Sequence, residues 1–281
     1  MPPDTVRFLL DDAASRLAAV GCDTPRLDAR LLLQHCTGLS REEMILSPDQ
    51  RPGPEAIAAF EAAIRRREAR EPVSRILGEH EFYGRVFRVT PAVLDPRPDT
   101  ETLVEAALGV MPAGARVLDL GTGSGAIIIT LLAERPDSIG VATDVSAEAL
   151  AVAQANATAL GVADRLDLRQ GSWFAPVSGL FDVIVSNPPY IPASEIPDLA
   201  PDVRNFDPVG ALTDGGDGLG SYRAIASGIE GFLSSGGAIV VEIGAGQASG
   251  VEAIFREAGY RVVDRLADLG GHVRCVVFRQ P

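Results

Sequence analysis

The chain contains no lysine; its 25 basic residues are all arginine, and against 38 Asp and Glu they leave a formal net charge of −13. A balance of this sign repels nucleic acid and speaks against a protein held on phosphates by a broad basic surface. Cysteine is scarce: Cys22, Cys36 and Cys275 are odd in number and have no CxxC spacing. That excludes a disulfide framework and a zinc ribbon, and a reducing cytoplasm is the expected compartment. Only three histidines occur, His35, His80 and His272, in unrelated segments without the partner spacing of a metal site or a catalytic triad, so no metal is expected. Apolar runs stay far below the roughly 18 residues that cross a bilayer. Asp4, Asp11 and Asp12 break the N-terminus, so neither membrane insertion nor export is expected. Internal repeats and low-complexity tracts are absent too.

What is present is a 281-residue chain with 46% hydrophobic content, enough for one large domain and one small one. Charge divides unevenly: residues 1–85 carry 12 Arg and 14 acids, residues 86–281 carry 13 Arg and 24 acids. The first 80 residues read as helical. Val6, Leu9, Leu10, Ala13, Leu17 and Val20 recur at helical spacing. A second helix runs from Pro25 to Cys36 and stops at Gly38, a short third surrounds Met44 and Leu46, and a fourth spans Glu55 to Arg70. Arg65, Arg66 and Arg67 on that fourth helix read either as a solvated face or as a partner-contacting patch. Between Glu81 and Val89 the pattern switches to alternation around Gly84, a short hairpin that joins the domains.

From residue 99 onward strands and helices alternate. Strands are expected at Arg116–Leu120, Ile139–Asp144, Arg165–Arg169, Asp182–Ser186, Ala238–Ile243, Tyr260–Arg265 and Val273–Arg279. Helices are expected near Leu103–Leu108 and at Ala126–Glu134, Ala147–Leu160, Tyr222–Leu233 and Ala248–Ala258. Such alternation predicts an α/β fold with a doubly wound, Rossmann-like sheet. The short link between the last two strands cannot hold a helical crossover, so the last strand should be antiparallel. The domains are thus 1–80, helical; 81–98, hairpin and linker; and 99–281, the sheet domain.

Leu118-Asp119-Leu120 leads into Gly121-Thr122-Gly123-Ser124-Gly125, a strand followed by a glycine-rich turn that lets a ligand approach the backbone. Asp144, 19 residues after Gly125 and closing the next strand, can accept hydrogen bonds from both hydroxyls of a ribose. By spacing alone a nicotinamide cofactor and S-adenosylmethionine both fit. Trp173 follows the third strand and is either an apolar anchor or a flat wall against an adenine. What separates the cofactors is Ser186-Asn187-Pro188-Pro189-Tyr190, at the end of the apolar run Phe181–Val185. The Asn187 side-chain oxygen and the Pro188 carbonyl are two acceptors held in restricted backbone, and Tyr190 adds a flat face. Together they suit a planar NH2 group, for which hydride transfer has no use. Methyl transfer from a sulfonium depends chiefly on alignment, so acceptors that hold and orient a poorly nucleophilic amide nitrogen would carry the chemistry.

On these residues, the whole chain resembles the protein-(glutamine-N5) methyltransferases that modify peptide-chain release factors, the HemK-like family. The resemblance also takes in Arg75–Gly78, Phe82–Gly84, Pro96–Glu101, Ala211-Leu212, Gly216–Leu219, Glu242–Gly244 and Gln247. It implies a methyltransferase sheet binding S-adenosylmethionine through Gly121, Thr122, Gly123, Ser124, Gly125, Asp144, Trp173 and Asn187. Asn187, Pro188, Pro189 and Tyr190 would hold the glutamine of a Gly-Gly-Gln motif, with Asn187, Pro188 and Tyr190 as its catalytic residues. It implies as well a helical domain that engages the release factor, and a monomer without direct nucleic-acid binding is expected. Two positions depart from the family: Asp207 precedes Pro208 where Glu is usual, and Asp95 precedes Pro96 where an apolar residue is usual. The rival reading is a nucleic-acid methyltransferase acting on an exocyclic amine, such as adenine N6 or guanine N2, which offers the same planar group. A nicotinamide oxidoreductase and a non-catalytic adaptor stand behind it.

Overall fold

The computed structural model describes residues 4–268 and 270–281. Its chain divides into two compact units: residues 1–78 together with Ala200–Phe206, and Glu79–Leu199 together with Asp207–Pro281.

The first unit is built from α1 (Val6–Ala19), α2 (Pro25–Thr37), α3 (Arg41–Leu46), α4 (Pro54–Glu68) and α5 (Val73–Leu77). Thr5 caps α1 by accepting from the Phe8 N–H, and Ser40 with Glu43 forms a reciprocal capping box on α3. Apolar residues three and four apart along α1, α2 and α4 bring Leu9, Leu17, Leu32, Leu33, Phe60 and Ile64 into one core. The arginine run is neither a uniform solvated face nor a free patch. Arg67 is buried and donates to Asp28 and to Asp202, each at 2.7 Å. Arg66 is engaged with Glu71, and Arg65 is exposed.

In the second unit, β1 (Glu79–Phe82) and β2 (Arg85–Arg88) form the hairpin, turned at Tyr83-Gly84 with both residues at positive φ, the turn that suits the strand twist. The remainder alternates: α6 (Glu101–Val110), β3 (Arg116–Leu120), α7 (Ala126–Glu134), β4 (Ile139–Asp144), α8 (Ala147–Ala159), β5 (Leu166–Gln170), β6 (Phe181–Ser186), then β7 (Leu233–Glu242), α12 (Ala248–Glu257), β8 (Arg261–Ala267) and β9 (Val273–Arg279). Between β6 and β7 lie the short α9 (Pro201–Arg204) and α10 (Val209–Leu212), followed by α11 (Gly220–Gly228). The sheet order is β5-β4-β3-β6-β7-β9-β8, parallel except that β9 runs antiparallel to both β7 and β8. Successive strand residues face opposite ways. Val117, Val183 and Val185 pack with α6 and α7, while Leu118, Ile184 and Ile239 pack with α11 and α12.

One element differs clearly from expectation. The helix expected over Tyr222–Leu233 ends at Gly228, and Leu233 already pairs with Phe181 as the start of β7. Ile225, Ile229, Phe232 and Leu233 keep helical spacing, but Gly228 and Gly231 interrupt it and the Phe232 carbonyl is taken by the Phe181 N–H. Sheet pairing wins over local periodicity.

Candidate active site

Strand order reverses between β3 and β6, which lie side by side and parallel, so their carboxyl ends flank the crevice where open α/β sheets bind ligands. The Ser186 hydroxyl donates to the Leu120 carbonyl at 2.7 Å and ties the two strand ends together. The glycine loop leaves β3 at this point and the Asn-Pro-Pro-Tyr motif leaves β6.

The loop is fastened to the end of β4. The Gly121 and Thr122 N–H groups both donate to the Thr143 carbonyl, and Asp144 accepts from the Gly123 N–H and the Ser146 N–H, each at 2.9 Å. Gly125 opens α7 where a Cβ would sit 2.6 Å from Ile129 Cδ1 and 3.2 Å from the Ala153 Cβ, so only glycine lets α7 and α8 meet there. Behind the loop Asp119 is fully buried. It accepts from the Thr122 hydroxyl at 2.7 Å and leaves Oδ1 without a partner. Burial pushes its carboxyl up to about 7 against the pull of Thr122, and the nearby Asp144 adds to the rise.

A cavity of about 530 Å³ occupies the crevice, within the size range of small-molecule sites. Of the residues expected at the site, Gly121, Thr122, Gly123, Ser124, Asp144, Trp173, Asn187 and Pro189 line it; Gly125, Pro188 and Tyr190 are not among its lining residues. Trp173 packs against the α11/α12 core cluster, as an apolar anchor would, and is also one of the residues lining the cavity. A second cavity, of about 420 Å³, shares Trp173, Pro189 and Gly210 with the first and extends to Asp214, Asp217 and Arg223.

The Asn187 side chain is oriented by Thr100, which lies in the Pro96–Glu101 match but has no role legible in the sequence. Its Nδ2 donates to the Thr100 hydroxyl at 3.2 Å, which leaves Oδ1 as the end free to accept. Tyr190 is held from three sides. Its hydroxyl reaches Glu242 at 3.4 Å, its carbonyl accepts from Gln247 Nε2 at 2.8 Å, and the loop carrying Gly218 passes so close that a Cβ there would lie 2.4 Å from the same carbonyl. Burial beside Glu242 pushes the Tyr190 phenol up, which keeps it neutral. Both positions that depart from the family are engaged: Asp207 accepts from Arg97 at 2.8 Å, and Asp95 lies within hydrogen-bond distance of the His80 ring, 2.8 Å from Nδ1.

The residues present fit S-adenosylmethionine. The cavity joins the Asp144 carboxylate at the end of β4 to a wall of Gly121 and Gly123, where a ligand can approach the backbone closely.

A Rossmann-like sheet of this order, with a glycine loop, an acidic strand end and Asn-Pro-Pro-Tyr around one crevice, defines a methyltransferase. Residues 9–78 match the PrmC N-terminal domain family and residues 98–200 the methyltransferase small domain family. The release factor glutamine methyltransferase of Cereibacter sphaeroides is 53% identical over 96% of this chain and 96% of its own length; that of Rhodospirillum rubrum is 48% identical over 97% and 84%. A solved methyltransferase from Pyrococcus furiosus, 19% identical, shares the fold at a TM-score of 0.55 over 78% of this chain and 96% of its own. The chain belongs to the release factor glutamine methyltransferase family, and its cofactor is S-adenosylmethionine. Among the described residues no helix is long and apolar enough to cross a membrane.

Proposed function

We propose that the chain transfers a methyl group from S-adenosylmethionine to the side-chain amide nitrogen, N5, of the glutamine in the Gly-Gly-Gln motif of peptide-chain release factors. The observation that carries this reading is the orientation of Asn187. With Nδ2 engaged by Thr100, its oxygen is the group available at a cavity wall beside the glycine loop. The Asn187 oxygen and the Pro188 carbonyl accept the two N–H protons of the glutamine amide, which turns its nitrogen toward the donor and raises electron density on it. When bound, S-adenosylmethionine supplies an electrophilic methyl group on a sulfonium. Asp144 accepts from the ribose hydroxyls, Trp173 lies against the adenine, and Gly121, Thr122, Gly123, Ser124 and Gly125 form the close backbone wall. Tyr190 stacks on the amide plane. The methylated amide is cationic and strongly acidic, so it returns its proton to water without a dedicated base.

Residues 1–80 engage the release factor, residues 81–98 link them to the catalytic part at 99–281, and the protein acts as a cytoplasmic monomer without direct nucleic-acid binding. The charge of −13 and the commitment of Arg66 and Arg67 to carboxylates support a protein substrate over a nucleic-acid base. Incubation with labelled S-adenosylmethionine and a release factor should label the factor, and replacing the Gly-Gly-Gln glutamine should abolish the label. Label appearing in RNA or DNA instead would contradict this reading.

A further inference from the structure

The Asn156 side chain on α8 is almost wholly buried, and its amide bonds only to backbone. Its Oδ1 accepts from the Arg88 N–H at 2.8 Å, and its Nδ2 donates to the Arg88 carbonyl at 3.1 Å and to the Ser124 carbonyl at 2.9 Å. This set leaves the amide one way to lie. The Arg88 N–H can meet only the oxygen, and the two carbonyls take the two protons of the nitrogen; turned over, the amide would set donor against donor and oxygen against oxygen. Toward β2 the side chain behaves as a neighbouring strand would, pairing with both polar groups of one residue. Toward the glycine loop it holds a carbonyl.

Both ends of this bridge reach the large cavity. Ser124 lines it, in a loop fastened on its other side to the end of β4 through Gly121, Thr122 and Gly123. Arg88 leads into residues 89–97, where Val89 and Val93 pack with Ala149 and Val152 of α8, and Val93, Asp95 and Arg97 line the cavity. One helix therefore carries two walls. We propose that Asn156 is a positioning residue that fixes the separation of these walls, and with it the affinity for S-adenosylmethionine, although it is not itself among the lining residues. Freeing the Ser124 carbonyl loosens its neighbour Gly123, whose N–H holds Asp144 at 2.9 Å. This inference rests on the reading above of the glycine loop and Asp144 as the cofactor wall, and extends it to a residue behind that wall.

A buried amide that merely held the fold together would act differently. Its loss would lower stability and the fraction of active protein, while the protein that stayed folded would bind the cofactor as before. A positioning amide changes the affinity of the folded protein. Asn187, Pro188 and Tyr190 follow β6 and are no part of the bridge, so turnover at saturating cofactor should change little while cofactor affinity falls.

The test is calorimetric titration of the full chain with S-adenosylmethionine, without release factor, for wild type, Asn156→Ala, Asn156→Asp and Phe87→Leu, with thermal melts alongside. Asn156→Asp keeps the acceptor for the Arg88 N–H and loses the donors to both carbonyls. Each Asn156 variant should raise Kd about 10-fold, the scale of a buried acceptor left unmet. Their kcat at saturating cofactor should stay within about 3-fold of wild type. Phe87→Leu removes buried packing from the same hairpin without touching Ser124, so it should lower the melting temperature and leave Kd within about 2-fold. If Asn156→Ala fails to fold, Asn156→Asp decides. Wild-type Kd in either folded variant, or an equal rise in Phe87→Leu, would overturn the proposal. Gly123→Val tests the underlying reading separately, because it forces a branched side chain onto a positive φ in the cavity wall and should abolish cofactor binding. Wild-type binding there would overturn the loop as cofactor wall, whatever Asn156 does.

Discussion

In the helical unit, Asp28 and Asp202 each meet the buried Arg67 guanidinium at 2.7 Å, whereas in the sheet unit Asp119 and Glu242 each keep a buried oxygen without a hydrogen-bond partner. The difference shows in the proton equilibria. Burial of Asp202 is outweighed by hydrogen bonds from Arg67 and Arg70, which hold its carboxyl below the usual range; burial of Asp119 and Glu242 prevails and pushes both up to about 7. Carboxylates in the first unit are spent on holding helices and the Ala200–Phe206 segment together. Asp119 and Glu242 in the second lie instead beside the glycine loop, where Asp119 accepts from Thr122, and beside Asn-Pro-Pro-Tyr, where Glu242 meets the Tyr190 hydroxyl.

The comparison is broken most severely on the side of the sheet unit, by removing the Asn187 acceptor. Asn187→Ala should lower kcat by about 1,000-fold, in line with deleting a preorganised electrostatic contact, while leaving the melting temperature unchanged. Turnover within 10-fold of wild type would mean that the amide is held by other groups, a comparison made by single-turnover methylation at saturating cofactor.

Next in size is the helical unit's own pairing. Arg67→Ala leaves Asp28 buried without its cation and should destabilise that unit by about 3 to 5 kcal/mol, read from urea unfolding. Arg66→Ala, which removes an exposed pair with Glu71 and a long hydrogen bond to the Arg75 carbonyl, should cost under about 1 kcal/mol. Equal losses from the two substitutions would erase the distinction between buried and surface pairing.

The smallest effect separates the units by pH. A carboxyl raised in the folded state contributes stability that is fully present below its ordinary range and lost as pH rises through its folded value. Asp119 and Glu242 therefore predict a melting temperature that falls between about pH 5 and about pH 8, and Asp119→Asn should remove roughly half of that fall. A melting temperature that rises over the same window would show that the paired carboxylates govern the whole molecule.

Much of this was legible in the amino-acid order because local pattern and tertiary role coincide. Val117–Leu120 and Val183–Ser186 are apolar runs short enough to be buried strands, and the glycine loop, Asp144 and Asn-Pro-Pro-Tyr each sit at a strand's carboxyl end. What stayed hidden lies in pairs far apart in the chain. Thr100 orients Asn187 across 87 positions, and Arg67 meets Asp202 across 135. A lone threonine near the start of a helix and a third arginine in a run carry no periodic signal that could reveal such partners. Glu242 and Gln247 were visible as matches to a family, but their grip on Tyr190 is geometric and emerges only once β7, the start of α12 and the motif are brought together.

The central claim is that the crevice holds a protein glutamine amide for methylation at nitrogen. The most direct test is to incubate a release factor with the enzyme and S-adenosylmethionine, digest it, and locate the added methyl group by fragmentation mass spectrometry. A methyl on the side-chain nitrogen of the Gly-Gly-Gln glutamine, absent when Asn187→Ala replaces the wild-type enzyme, is the predicted result. A methyl on any other residue, or one that persists with Asn187→Ala, would contradict it.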